Sequence, residues 1–197
     1  RQIARKTKMV FDFDDSIWLQ NVSKANQSLS FLKDAQKTAK LIEIADLVLA
    51  GNSYLQQYAL QYNQQTKLIP TVVDTSHYQS VTDKSGTSIC IGWSGSFSTV
   101  PYFETIVPVL LRLKKKYGNR IYFKLIGDST YYNESLELRG TAWTASTELA
   151  ELAELDIGLM PLPDDEWTKG KCALKGLLYM SMEQVAVLSD VGVNATV

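Results

Sequence analysis

Seven uninterrupted apolar runs, each closed by Gly, Asp or Pro, constrain this chain more than any other feature: "MVFDF" (9–13), "ADLVLAG" (45–51), "TKLIPTVV" (66–73), "SICIGWSG" (88–95), "IYFKLIGD" (121–128), "DIGLMPL" (156–162) and "VAVLSDVG" (185–192). Strands that are apolar throughout, rather than alternating, are covered on both faces, as in parallel sheets. Helical patterns lie between them. "SFLKDAQKTAKLIEIA" (30–45) sets Phe31, Ala35, Ala39, Ile42 and Ala45 on one stripe. "PYFETIVPVLLRLKKKYG" (101–118) opens with Pro101 and closes on Lys114, Lys115, Lys116 and Gly118, as helix ends prefer. Pro108 inside it predicts a kink or a displaced start. Alternating strand and helix implies right-handed βαβ units and doubly wound α/β sheets. The polar stretch "DTSHYQSVTDKSGTS" (74–88) breaks that rhythm and reads as a linker between two α/β lobes.

The chain has 197 residues, enough for one large domain or two small ones. Twenty Lys and Arg against 21 Asp and Glu leave a net charge of −1, so no global field draws a polyanion, nucleic acid is not an expected partner, and any phosphate site must be local. Cys90 and Cys172 lie far apart without a CxxC spacing, which argues against a disulfide framework or a zinc site. There is no apolar run of about 18 residues to span a membrane and no signal peptide. A cytoplasmic protein is expected, at most associated with the inner face of a membrane. The chain begins Arg-Gln-Ile and stops at "VGVNATV", after a strand-like run, and reads as a piece of a longer protein.

"MVFDFDDSIW" (9–18) crowds Asp12, Asp14 and Asp15 at the end of an apolar strand. It resembles the first motif of haloacid-dehalogenase-type phosphatases. On that reading Asp12 attacks phosphorus, Asp14 is general acid and base, Ser16 replaces the usual Thr, and Asp128 and Glu134 of "LIGDSTYYNE" would hold magnesium. The alternative is that strand-end aspartates cap the following turn or bind loop amides. These ten residues leave both open.

The last third carries a longer pattern. "LDIGLMPLPDDEWTKGKCALKGLLYMSMEQVAVLSDVGVN" (155–194) resembles the donor-binding segment of family 4 retaining glycosyltransferases of the GT-B type: an Asp-Ile-Gly strand, a Pro turn, an acidic loop, Gly-Lys-Cys, a Lys-bearing helix ending in Tyr-Met, and a strand running into Val-Gly-Val-Asn. "FDFDD", "ADLVLAGNSYLQQYALQY", "LIPTVVDTSHY", "IGWSGSFST" and "FKLIGD" fall in the order that family shows. The resemblance implies two Rossmann-like lobes. Residues 1–74 would be the C-terminal half of a truncated, acceptor-side N-terminal lobe, 75–87 a linker, and 88–197 a nearly complete lobe for a nucleotide-sugar.

It also implies metal-independent transfer, with retention, from a UDP- or GDP-linked sugar to a glycan or lipid-linked acceptor in polysaccharide assembly, with no further cofactor and with this piece inactive by itself. A departing nucleoside diphosphate gains negative charge, which cations and helix N-termini stabilise. Lys171 and Lys175, four apart at the start of a helix over about 170–182, are the expected phosphate ligands, with Gly95 and Ser96 offering loop amides. Gly127, Asp128, Trp167 and Gly170 are assigned to the nucleotide and sugar pocket. Asp12, Asp14 and Asp15 fall on the acceptor side or organise a loop. No catalytic residue is assigned.

Departures from the family's pattern fall on the sugar site. Its two Glu residues, eight apart, correspond to Gly170 and Leu178; residues 94–99 hold no cation where the family places Arg and Lys; and Glu183 stands at a turn glycine. These departures admit a third reading, a degenerate nucleotide- or glycan-binding module. His77, the only histidine, is expected exposed in the linker. Trp18, Trp93 and Trp143 are expected in the core, and Asp164, Asp165 and Glu166 in solvent, with Asp164 capping toward the helix.

Overall fold

The computed structural model describes residues 7–19, 35–80 and 86–197. All seven apolar runs contain strands: β1 (Val10–Phe13), β2 (Leu47–Ala50), β3 (Thr66–Leu68), β4 (Ile89–Ser94), β5 (Ile121–Ile126), β8 (Ile157–Met160) and β9 (Val185–Leu188). A short pair, β6 (Tyr132–Asn133) and β7 (Leu138–Thr141), comes from a stretch with no apolar run to announce it. The helices are α1 (Ala35–Ile44), α2 (Ser53–Leu60), α3 (Val100–Glu104), α4 (Val107–Tyr117), α5 (Glu148–Ala153) and α6 (Leu174–Ser181).

The chain forms two compact units. The first comprises Arg1–Val72, Asp164–Ala173 and Asp190–Val197, and the second Val73–Pro163 and Leu174–Ser189. A linear division at residues 74 and 88 does not anticipate this exchange, because the acidic loop and the last residues pack with the first unit.

The first unit holds a parallel sheet of order β1-β2-β3. Phe13, Val48 and Ala50 pack against Ile42 and Ala45 from α1 and its end, and against Leu55 and Ala59 of α2. Ile42 and Ala45 are two members of the expected stripe; residues 30–34 of that predicted helix lie outside the described residues. β1 departs from expectation: Val10 is 53% exposed and Asp12 is exposed, so this run is not covered on both faces among the described residues.

The second unit holds a six-stranded sheet of order β6-β7-β5-β4-β8-β9, parallel except for the β6–β7 pair. On one face Ile91, Trp93, Phe123, Leu125 and Leu159 meet Phe103, Val107 and Leu110 of α3 and α4. On the other, Cys90 and Ile126 meet Leu152, Leu155, Leu178 and Tyr179. Burial on both faces is why these strands carry no alternation. Pro108 occupies the first turn of α4, so the predicted helix over 101–118 divides into α3 and α4 rather than kinking. Trp93 is core, whereas Trp143 is 48% exposed, contrary to expectation. Its segment, residues 142–147, lies between β7 and α5, outside the strands and helices that build the core.

Glu183 accounts for the missing turn glycine. It closes α6 at φ 57, a left-handed conformation. The Gln184 and Glu183 N–H groups donate to the Tyr179 and Met180 carbonyls, each at 3.0 Å, the Schellman arrangement in which glycine is preferred. Replacing Glu183 by Gly should therefore raise stability by about 0.5–1 kcal/mol, the strain relieved slightly exceeding the added chain entropy. Urea denaturation checks this: the midpoint should rise, and an unchanged or lower midpoint contradicts the assignment.

Candidate functional site

In the second unit, β5 and then β7 extend the sheet on one side of β4, whereas β8 and β9 extend it on the other. The order reverses at β4, and open α/β sheets bind ligands at the carboxyl ends of strands beside such a reversal. The β4–β8 pairing runs from Ile91 opposite Ile157 to Trp93 opposite Leu159 and stops there. Beyond it the Tyr179 hydroxyl enters. It accepts from the Ser94 N–H at 3.1 Å and donates to the Leu159 carbonyl at 3.3 Å. Burial pushes the Tyr179 phenol up, so it stays a neutral donor. The neighbouring Ser94 Oγ is buried with no hydrogen-bond partner among the described residues.

The loops after β4 and β5 form the rim of this edge. Gly127 has φ 126, and a Cβ there would stand 1.9 Å from the Gly95 carbonyl oxygen, so glycine alone lets the two loops meet. The amides of Gly95 and Ser96 are spent internally: Gly95 N–H donates to the Ile126 carbonyl at 2.9 Å, and Ser96 N–H to Thr99 Oγ1 at 3.0 Å. What that loop presents instead is the hydroxyls of Ser96 and Ser98, both exposed and 2.8 Å apart. Asp128 closes a turn, its Oδ1 accepting from Thr130 N–H at 2.9 Å and Thr130 Oγ1 at 2.6 Å, and these bonds hold its carboxyl below the usual range.

Lys175 lies in the first turn of α6, one turn before Tyr179 on the same face. Its ammonium is 3.8 Å from Glu148 Oε1, and burial pushes it below the ordinary lysine range. Lys171 is elsewhere. It precedes the helix, with φ −67 and ψ 144, so the two lysines do not share a helical face as the spacing predicts. The helix starts only at Leu174, after Ala173 turns the chain at φ 57.

Lys171 belongs to the first unit, where it meets the aspartates of "FDFDDS". Its Nζ is 2.8 Å from Asp15 Oδ1 and lies over the Trp167 ring at 5.3 Å. Ser16 Oγ donates to the Glu166 carbonyl at 3.1 Å, and a Cβ on Gly170 would come within 2.1 Å of that same Ser16 Oγ. Asn52 caps α2 by accepting from Leu55 N–H at 2.9 Å, while its Nδ2 donates to the carbonyls of Lys169 at 3.1 Å and Lys171 at 3.0 Å. Cys172 Sγ reaches the Asp14 carbonyl at 3.3 Å, and burial pushes its thiol up to about 11, out of reactive range. Asp12 and Asp14 are exposed.

The acidic loop is therefore structured rather than merely solvated. Asp165, rather than Asp164, organises the loop: its Oδ1 accepts from Thr168 N–H at 2.8 Å and Thr168 Oγ1 at 2.9 Å. Glu166 accepts from Lys169 Nζ and from Tyr54 Oη, each at 2.7 Å, and these bonds, the lysine's first, hold its carboxyl low. His77 is exposed and meets the Tyr78 ring edge-on. Among the described residues no three His, Cys, Asp or Glu side chains converge as metal ligands.

Sequence reasoning missed Tyr78, Glu148 and Asn52, whose roles come from contacts 70 to 119 residues away in the chain. An Asn directly before a helical pattern signals its capping role, but nothing local signals its two donors.

No family model matches the chain, and no curated protein matches it by sequence. Solved structures do. An α,α-trehalose 6-phosphate synthase from Burkholderia multivorans superposes with a TM-score of 0.64 at 10% identity, covering 98% of this chain and 54% of that one. A TarM variant from S. aureus, in complex with fondaparinux, α-GlcNAc-glycerol and UDP, gives 0.65 at 11% identity, covering 95% and 38%. The chain has a GT-B glycosyltransferase fold. The catalytic domain of starch synthase IV from Arabidopsis thaliana, bound to ADP and acarbose, gives 0.63 at 11%, covering 96% and 52%. The chain thus spans about half the length, or less, of the GT-B structures it matches.

Asn52 tests the packing of the first unit. Asn52→Ala should cost about 2–3 kcal/mol, roughly 1 for the cap and 1 for each lost donor. Asn52→Asp, which keeps the cap acceptor but turns a carboxylate oxygen toward the same two carbonyls in a buried site, should be destabilised at least as much; equal stability of wild type and Asn52→Ala in urea would contradict the bridging role.

Proposed function

We propose that the chain is the nucleotide-sugar-binding portion of a retaining, metal-independent GT-B glycosyltransferase that passes a sugar to a glycan or lipid-linked acceptor. The observation that carries this reading is Lys175. A largely buried ammonium stands beside the strand-order reversal, and its nearest carboxylate among the described residues is 3.8 Å away, too far to take its hydrogen bonds. Diphosphate oxygens would supply what that cation lacks, stabilising the charge that develops on the leaving group. The Ser96 and Ser98 hydroxyls and the Gly127 turn offer further polar contacts at the same edge. Lys171, with Asp15 already at 2.8 Å, is the weaker of the two cations assigned to phosphate.

The solved neighbours support a nucleoside diphosphate: one is described as UDP-forming, and others are bound to UDP or ADP. The phosphatase reading finds less support. Asp12 is exposed on β1, Asp128 is engaged with Thr130, and no magnesium cluster forms among the described residues.

Calorimetry with UDP, GDP and ADP tests the proposal. At least one should bind, and Lys175→Ala should weaken it about tenfold or more, the loss of one charge-assisted contact. Lys171→Ala should weaken it less. No binding of any of the three, or binding indifferent to Lys175→Ala, would overturn the reading.

A further inference from the structure

Lys175 is held by an arrangement that the proposed phosphate contact does not by itself require. Its side chain is 26% exposed and that of Glu148 only 14%, so both charges are largely removed from water. Glu148 is the first residue of α5, where a carboxylate suits the helix. Its Oε2 accepts from the Tyr78 hydroxyl at 3.0 Å, which leaves Oε1 as the oxygen facing Lys175 at 3.8 Å. Tyr78 packs with the Leu152, Leu155 and Tyr179 cluster, so its hydroxyl is anchored from the core side. Burial, then the hydrogen bond to Glu148 and the charge of that carboxylate, push the Tyr78 phenol up, keeping it a donor.

Other charges are accounted for. α6 carries no second charged side chain, Tyr179 being its only other titratable group. The remaining α5 carboxylate, Glu151, and the adjacent Glu154 are both paired with Lys124, at 2.7 and 2.6 Å. Glu148 is the one charged group that opposes the effect of burial on Lys175 among the described residues.

We propose that Glu148, fixed by Tyr78, is the positioning residue for Lys175: close enough to act as its counter-ion, yet held too far away to take its hydrogen bonds. The proposal rests on the reading of Lys175 as a phosphate ligand. An opposite charge at this distance favours the ammonium, while a direct pair would compete with the incoming phosphate. Tyr78 sets that separation by holding one carboxylate oxygen.

The two partners then act in opposite directions. With the whole chain labelled at lysine Cε and the Lys175 signal identified by its loss in Lys175→Arg, NMR titration should show the Glu148→Gln midpoint lower than wild type by about one pH unit or more. Tyr78→Phe should raise the midpoint, because the released carboxylate closes on the ammonium, and should weaken UDP binding severalfold at neutral pH. In Glu148→Gln the alkaline loss of UDP binding should move to lower pH with the Lys175 midpoint. Unchanged midpoints, or shifts of both variants in the same direction, would overturn the proposal. Failure of wild type to bind UDP, GDP or ADP would overturn the functional reading alone, since the two midpoint shifts still decide whether Glu148 and Tyr78 act on Lys175 as stated.

Discussion

The hydroxyl of Tyr179 stands where β4 and β8 part, and the rest of the second unit is arranged around that insertion. A parallel ladder that ends inside a core leaves an N–H and a C=O without partners, at a cost of roughly 1–3 kcal/mol for each buried group. Tyr179 answers both, to Ser94 and Leu159. Gly158 leaves room for its ring: a Cβ there would lie 2.3 Å from the Tyr179 Cγ. With the ring seated, α6 is pinned to the sheet and Lys175, four residues earlier, lies on the same helical face toward the carboxyl edge. Packing and candidate chemistry are thus consequences of one contact.

In the first unit an equivalent role falls to groups on loops. Asn52 and Ser16 hold three backbone carbonyls of the acidic segment, and Asp15 neutralises Lys171. The crowded aspartates of "FDFDDS" separate in function once seen in three dimensions. Asp12 and Asp14 face solvent through their side chains, while Asp15 serves a cation that the sequence places 156 residues away.

Much of the fold was legible because burial on both faces writes itself into consecutive residues. Runs such as "SICIGWS" and "IYFKLI" need no partner to be recognised, and Pro108 marked a helix boundary by its own geometry. What the sequence could not show was register and exchange between units. The acidic loop packs with the first unit because Gly170 fits against Ser16 and because Asn52 reaches two of its carbonyls, facts that depend on which residues meet. The same limit applied to the site. Gly127 was recognisable as a strand-end glycine, but the internal use of the Gly95 and Ser96 amides was not. Lys175 stood out by its place in a motif. Glu148 and Tyr78 carry no motif and emerge only from proximity.

A nucleoside diphosphate at the carboxyl edge of the six-stranded sheet, in a chain of GT-B glycosyltransferase fold, is the claim on which the functional account depends. Backbone amide chemical shifts of the 15N-labelled chain, followed as UDP, GDP and ADP are added, test it most directly. The account predicts saturable shifts for at least one of them that centre on Gly95, Ser96, Gly127 and Lys175. Saturable shifts confined to the residues of the first unit, or none with any of the three nucleotides, would contradict it.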